Sequence, residues 1–328
     1  MPGKATVLVV GGAGYIGSQT AKELARSGFD TVGLDNLVTG HRDAFQTGPL
    51  EVGDMGDLAF VRDVFQRHRI DAVMHFAAYA YVGESVVEPE KYYRNNVAAT
   101  LTLLRAMREA GCGRLIFSST CATYGEPETI PLTEDHPQRP VSPYGRTKWM
   151  VEQVIADYGR AYGLASVIFR YFNAAGADPE GDIGERHEPE THLIPLVLEA
   201  ITTGKPLQIL GDDYPTPDGT CVRDYIHVVD IARAHVLGLD RLLAGGASAI
   251  YNLGNGNGYS VREVIETAER VTGRPVPRVL APRRPGDPAV LVGSCQRAFD
   301  ELGWRPAFAQ LEQVIETAWR WHRARSVR

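Results

Sequence analysis

Three glycines at three-residue spacing, Gly11, Gly14 and Gly17, follow directly on the apolar run at residues 6–10. They open a stretch of helical period over about residues 15–27. Few local patterns restrict a chain so much. The turn from strand into helix is tight enough to favour residues without Cβ. Backbone amides that come this close together at a helix N-terminus, with its partial positive charge, suit a pyrophosphate. The spacing is G-x-x-G-x-x-G rather than G-x-G-x-x-G, so the strand before it and the helix after it carry the argument.

The rest of the chain repeats that unit. Apolar runs at residues 31–34, 71–76, 114–117 and 165–169 alternate with helical patterns at 58–68, 92–110 and 144–162. Such alternation predicts an α/β fold: a Rossmann-like doubly wound parallel sheet whose strand C-termini line one ligand-binding edge. After Phe172 the texture shifts to Gly, Pro, Asp and Glu, with a helix expected at 193–202 and another at 228–243 that returns to the first part. The expected division is residues 1–175, rejoined by about 220–250, and a smaller C-terminal α/β substrate lobe in 176–328 with an interleaved boundary. A length of 328 residues accommodates both.

Composition excludes several classes. With 34 basic against 40 acidic residues the formal charge is −6, so no nucleic acid partner is expected. The four cysteines, Cys112, Cys121, Cys221 and Cys295, are far apart and lie in no C-x-x-C or Cys/His cluster. Neither a disulfide framework nor a metal site is expected, and a reducing, cytoplasmic location fits. The longest uncharged run, residues 5–21, is broken by four glycines and spans no membrane.

Two groups of residues carry chemistry. Asp35 ends the second apolar run, 18 residues after Gly17, where a carboxylate accepts ribose hydroxyls and repels a 2′-phosphate. Asn36-Leu37 follows rather than an arginine, which favours NAD over NADP. Asp54, between the second and third of these runs, is a weaker candidate for the adenine edge. Further on, Ser142 and Pro143 start a helix on which Tyr144 and Lys148 share a face. A lysine ammonium beside the phenol is expected to lower its pKa and make it a usable base. Thr120, at the end of another strand, offers a hydroxyl bridge between that phenol and a substrate.

With these residues in view the chain resembles the extended short-chain dehydrogenase/reductases, and within them the NAD-dependent UDP-glucose 4-epimerases. The resemblance rests on residues 11–18 (GGAGYIGS), 34–37 (LDNL), 75–85 (HFAAYAYVGES), 95–97 (NNV), 118–125 (SSTCATYG), 142–148 (SPYGRTK), 170–177 (RYFNAAGA), 191–195 (THLIP), 213–228 (DYPTPDGTCVRDYIHV), 251–256 (YNLGNG) and 283–287 (RRPGD). The later stretches are the narrower marks. The resemblance implies a base in Tyr144, its electrostatic partner in Lys148 and a hydroxyl bridge in Thr120. It implies NAD contacts at Gly11, Gly14, Tyr15, Ile16, Gly17, Asp35, Asn36, Asp54, Met55, Phe76, Ala77, Ala78, Asn95, Ser118, Tyr144, Lys148 and Tyr171. For a UDP-sugar it implies Thr120, Tyr144, Asn173, His192, Leu193, Arg223, Arg284 and Asp287; two arginines neutralise a pyrophosphate well. The implied reaction is 4-epimerisation of a UDP-sugar through a transient 4-keto sugar, in a homodimer built on the helices near 92–110 and 144–162.

The chain departs from that pattern in places. A lysine that some members place on the cofactor pyrophosphate is Ala80 here, and His192 stands where some have Asn. Leu291 aligns with a bulky tyrosine of hexose-restricted members, which leaves UDP-xylose/UDP-arabinose or UDP-N-acetylglucosamine open as substrates beside UDP-glucose. A 4,6-dehydratase or decarboxylase is disfavoured, because Cys121-Ala122 follows Thr120 where that chemistry places carboxylates. A non-catalytic NAD-sensing protein is the remote alternative. His75 and His227 are expected to be structural, and Trp304 to pack the C-terminal lobe.

Overall fold

The computed structural model describes residues 5–284 and 287–326. The first six strands are β1 (Thr6–Val10), β2 (Asp30–Asp35), β3 (Leu50–Val52), β4 (Ala72–His75), β5 (Arg114–Thr120) and β6 (Ala165–Tyr171). After β7 (Asn173–Ala175), β8 (Leu207–Leu210) and β9 (Val222–His227), β10 (Ala249–Leu253) rejoins them. The resulting sheet has the order β3-β2-β1-β4-β5-β6-β10, parallel throughout. The strand order reverses between β1 and β4, so the ligand crevice of such sheets falls at the ends of those two strands.

Alternation along the strands divides the core into two layers. Val7, Val9, Ile116, Val167 and Phe169 face Ala21 and Leu24 of helix Tyr15–Arg26 and Ile231, Ala234 and Leu239 of helix Val228–Leu243. Leu8, Val10, Val73, Leu115 and Phe117 face Val61, Leu103, Met107, Val151 and Ile155 of the helices on the other side. Strands buried on both faces read as continuous apolar runs, which is why periodicity alone located them.

A third core holds the remaining elements together. Helices Leu193–Thr203, Val261–Thr272 and Leu311–Ser326 pack through Val197, Val264, Val314 and Trp319. Beside them lie β11 (Gly258–Ser260) and β13 (Val290–Leu291), which flank β9 together with β7. The pair β8 and β12 (Arg278–Ala281) stands apart.

Two expectations need correction. Trp304 packs into the core under the seven-stranded sheet, its indole N–H donating to Asp230 O at 2.9 Å, and not into the C-terminal core. The helix expected over 92–110 is not continuous: a π-helical turn, Tyr93–Ala98, separates Pro89–Tyr92 from Ala99–Glu109. Asn96 sits in that turn, buried. Its amide donates to Tyr79 O and Thr147 Oγ1, and its oxygen accepts from Tyr79 N–H. The widened turn aims a polar side chain inward where a regular helix would present an apolar one.

Candidate active site

The glycine loop closes on itself. A Cβ on Gly17 would lie 2.1 Å from Gly11 O, and one on Gly11 would lie 2.5 Å from Ala77 N. Helix Tyr15–Arg26 therefore starts directly against the ends of β1 and β4. Its N-cap is Gly14, with no side-chain cap and no acidic residue in the first turn, so no protein carboxylate competes for its leading amides. Asp35, buried at the end of β2, accepts Ala13 N–H at 2.9 Å and Leu37 N–H at 2.8 Å. That second bond accompanies a left-handed Leu37, φ 60°, the one positive-φ non-glycine among the described residues. Burial pushes the Asp35 carboxyl up, and the two amides offset that only in part.

The other expected cofactor residues are spread over several elements. Asn36 donates to Asp54 Oδ2 at 3.1 Å, which brings the two loop candidates together. Met55 is buried, and Ile16 packs on the core. Phe76 and Ala77 donate their N–H groups to Val10 O and so carry β4 on towards Ala78. Tyr15 donates to Gly176 O at 2.6 Å, and Asn95 to Asn96 Oδ1 at 2.9 Å. Ser118 and Tyr171 lie on β5 and β6, where Thr120 is paired with Tyr171.

Tyr144 is placed by its own helix start. Ser142 accepts Gly145 N–H at 3.1 Å as N-cap, and Pro143 follows at the first helical position. A Cβ on Gly145 would lie 2.4 Å from Ala122 O, so the glycine lets the first turn settle on the segment after Thr120. Tyr144 is half-buried, and desolvation of its phenol raises the pKa well above the ordinary value. Tyr171 adds to the rise and the Thr120 hydroxyl opposes it. Lys148 is buried. It donates to Ser118 O at 2.8 Å, lies 4.8 Å over the Phe117 ring, and is pushed down to about 7 by burial, against which Glu152 acts.

The expected lowering of the phenol by Lys148 is therefore not what the ligand-free chain shows. Both groups are desolvated, and burial opposes phenolate and ammonium alike. Lys148 holds fewer protons folded than unfolded between pH about 7 and its ordinary pKa of 10.5. Its burial cost is thus full below pH 7 and is relieved as pH rises through that window. Lys148→Met is expected to be more stable than the parent in urea at pH 7, with the gap narrowing by up to about 1.4 kcal/mol per pH unit towards pH 9. A gap that widens with pH would contradict this.

On the substrate side, Asn173 donates to Asp224 O at 3.0 Å. Arg223 pairs with Asp287 at 2.5 Å, and its charge reaches the half-buried Cys121 thiol, which desolvation raises to about 12. Arg284 is exposed, and its carbonyl accepts Asp287 N–H at 3.3 Å. Leu193 begins its helix. The His192 ring turns its Nδ1 to Glu185 at 2.7 Å and Glu190 at 3.1 Å, its carbonyl accepts Leu196 N–H, and the rest of the ring stays partly exposed. Leu291 packs with Phe172, Tyr124 and Leu132. His75 and His227 are buried and bonded to Thr100 and Thr317.

Two groups went unread in the sequence. Asp224, fully buried, accepts N–H bonds from Asn255, Gly256 and Gly293 at 2.6–3.2 Å, and burial still pushes it up to about 7. Arg170 and Glu152 form a buried pair under β5 and β6. A charged residue inside an apolar strand pattern was the available signal for Arg170.

A glycine-cradled helix start, a carboxylate at the end of β2 and a Tyr-x-x-x-Lys helix beside Thr120 define a dinucleotide-dependent enzyme of the short-chain dehydrogenase type. Residues 7–254 match the model of the NAD dependent epimerase/dehydratase family. The chain belongs to that family and is an enzyme that uses NAD. It is 53% identical to the UDP-glucose 4-epimerase of Streptomyces lividans, over 96% of this chain and 95% of that one. A crystal structure of UDP-glucose 4-epimerase from Brucella ovis in complex with NAD superposes with a TM-score of 0.94 at 50% identity, covering 96% and 97% of the two chains. One from Stenotrophomonas maltophila, with bound NAD and formylated UDP-arabinopyranose, gives 0.95 at 40% identity, covering 98% and 99%. No helix among the described residues is long and apolar enough to cross a membrane.

Proposed function

We propose that this protein interconverts UDP-glucose and UDP-galactose by inversion at C4 of the hexose. The observation that carries the reading is the meeting of Tyr144, Thr120 and Tyr171 at one strand edge, with the Arg223–Asp287 pair beyond Cys121. About half of the residues are shared with UDP-glucose 4-epimerases over nearly the full length. Gly11, Gly14, Gly17 and Asp35 would hold the dinucleotide, with Asn36, Asp54, Ser118 and Lys148 around it. Bound NAD supplies the acceptor and donor of hydride.

The chain's own residues handle protons and position. Tyr144 starts as a neutral phenol and works as a base only when positive charge reaches it; Lys148 is the cation on its helix face. Thr120 links the phenol to the sugar 4′-hydroxyl. Arg223 and Arg284 bind the substrate diphosphate, and Asn173, Leu193 and Asp287 border the uridine. The same reading gives residues 1–175 with about 220–250 to the dinucleotide and the rest to the nucleotide sugar. Leu291 sits with Phe172 and Tyr124 rather than closing the sugar site with a tyrosine, which keeps a UDP-pentose or UDP-N-acetylglucosamine as the second reading.

Purified enzyme incubated with UDP-glucose should yield UDP-galactose by NMR, with no net oxidation of the sugar. Parallel incubations with UDP-xylose and UDP-N-acetylglucosamine rank the substrates. No conversion of any of them would remove the assignment. We further place a homodimer contact on helices Ala99–Glu109 and Pro143–Tyr162, where Leu101 and Met150 stand exposed. Light scattering showing one subunit's mass would contradict it. Four cysteines outside any disulfide support a reducing, cytoplasmic location.

A further inference from the structure

The segment between β7 and helix Leu193–Thr203 folds four metal-ligand side chains onto one point. Glu185, His187, Glu190 and His192 each present an atom, and these four atoms all lie within 4.8 Å of one another. His192 Nδ1 is 2.7 Å from Glu185 Oε1 and 3.1 Å from Glu190 Oε1. His187 Nδ1 is 3.2 Å from Glu185 Oε1 and 3.7 Å from Glu190 Oε2. A tetrahedral zinc ion with bonds of about 2.0–2.1 Å sets its ligand atoms about 3.3 Å apart, in the middle of that range. Both imidazoles aim the same nitrogen at both carboxylates. Without an ion the two carboxylates hold both imidazoles protonated, at about 9 and 10 despite their burial; a divalent cation would displace those two protons, so two neutral imidazoles, two carboxylates and the cation stay in charge balance.

His187 Nδ1 is shut off from solvent, and its approach to Glu185 at 3.2 Å is not aligned as a good hydrogen bond. An enclosed polar atom without a well-aligned partner calls for a ligand or an ion. The surroundings also orient the ligands, as outer partners do in metal sites. Thr191 and His192 donate their N–H groups to Glu190 Oε1 at 2.8 and 2.9 Å. Tyr81 donates to Pro189 O at 2.9 Å, and its ring packs against both histidines.

We propose that Glu185, His187, Glu190 and His192 form a closed, structural site for a divalent transition-metal ion of the zinc type. All four ligands come from the protein, so the site tethers the segment ahead of Leu193 and leaves no open position for catalysis. It does not rest on the epimerase reading: none of its atoms belongs to the Tyr144–Thr120 centre, and it assigns His192 to the ion instead of the UDP-sugar.

The test uses untagged, full-length protein stripped with chelator and titrated with Zn²⁺ against a chromophoric competitor. One equivalent per chain is expected, with a raised Tm. Co²⁺ in its place should show the visible absorption of tetrahedral coordination. The double variant His187→Asn/Glu190→Gln should lose the stoichiometric ion, while Asp182→Asn, in the exposed acidic group nearby, should keep it. Wild-type protein that binds no zinc at micromolar concentration overturns the proposal. So does binding that persists in the double variant, or cobalt spectra of octahedral type. The wild-type titration decides even if the double variant does not fold.

Discussion

Tyr144→Phe is expected to lower turnover by about 10²–10⁴-fold while the protein stays folded and keeps its NAD. The ring remains, so the packing of the helix start on the segment after Thr120 is unchanged. Only the phenolic oxygen goes, and with it the group that takes and returns the proton. Desolvation holds the phenol neutral, so its removal leaves no charge uncompensated and should not destabilise the fold. Thr120→Val should follow the same direction with a smaller loss, and Thr120→Ser should recover most activity. The measurement is kcat with saturating UDP-glucose, beside circular dichroism and retained dinucleotide absorbance. A Phe variant with more than a tenth of parental turnover would remove Tyr144 from the role of base.

What the sequence makes legible here is local. The glycine loop, Asp35 and the Tyr144–Lys148 pair each lie within a few residues of the strand or helix end that positions them. Periodicity therefore located them together with the elements. The charge states were not legible, because they depend on burial, which a four-residue spacing does not report. Reading Tyr144 beside Lys148 as a lowered phenol left out the desolvation of both groups. Asp224 was missed for another reason: its partners Asn255, Gly256 and Gly293 lie 31–69 residues away. The histidine–glutamate group is a different case. Its spacing, E-x-H-x-x-E-x-H, is local and visible, but a search framed around cysteine passes over it.

The buried pair of Arg170 and Glu152 ties the three site segments together, and breaking it should be the most destabilising single change considered. Arg170 donates to both Glu152 oxygens, at 3.1 and 2.6 Å, and also to Tyr124 Oη and Glu134 O, each at 3.1 Å. Glu152 in turn accepts from the Ser119 hydroxyl and from Gln138 Nε2. Ser119 precedes Thr120, Arg170 precedes Tyr171, and Glu152 lies one turn beyond Lys148. Arg170→Met removes the cation and leaves a carboxylate with side-chain exposure of 2% facing two neutral donors. Stranding a buried charge costs about 3–5 kcal/mol. Urea unfolding should show that loss for Arg170→Met, and the double variant Arg170→Met/Glu152→Leu should be more stable than the single by at least about 1 kcal/mol. If the double is as unstable as the sum of the two singles, the pair is not energetically coupled. The variants that lack Glu152 also bear on chemistry, because Glu152 raises the Lys148 pKa. Without Glu152 the lysine falls further towards neutrality, the positive charge that Tyr144 requires is weakened, and turnover should drop even in chains that remain folded.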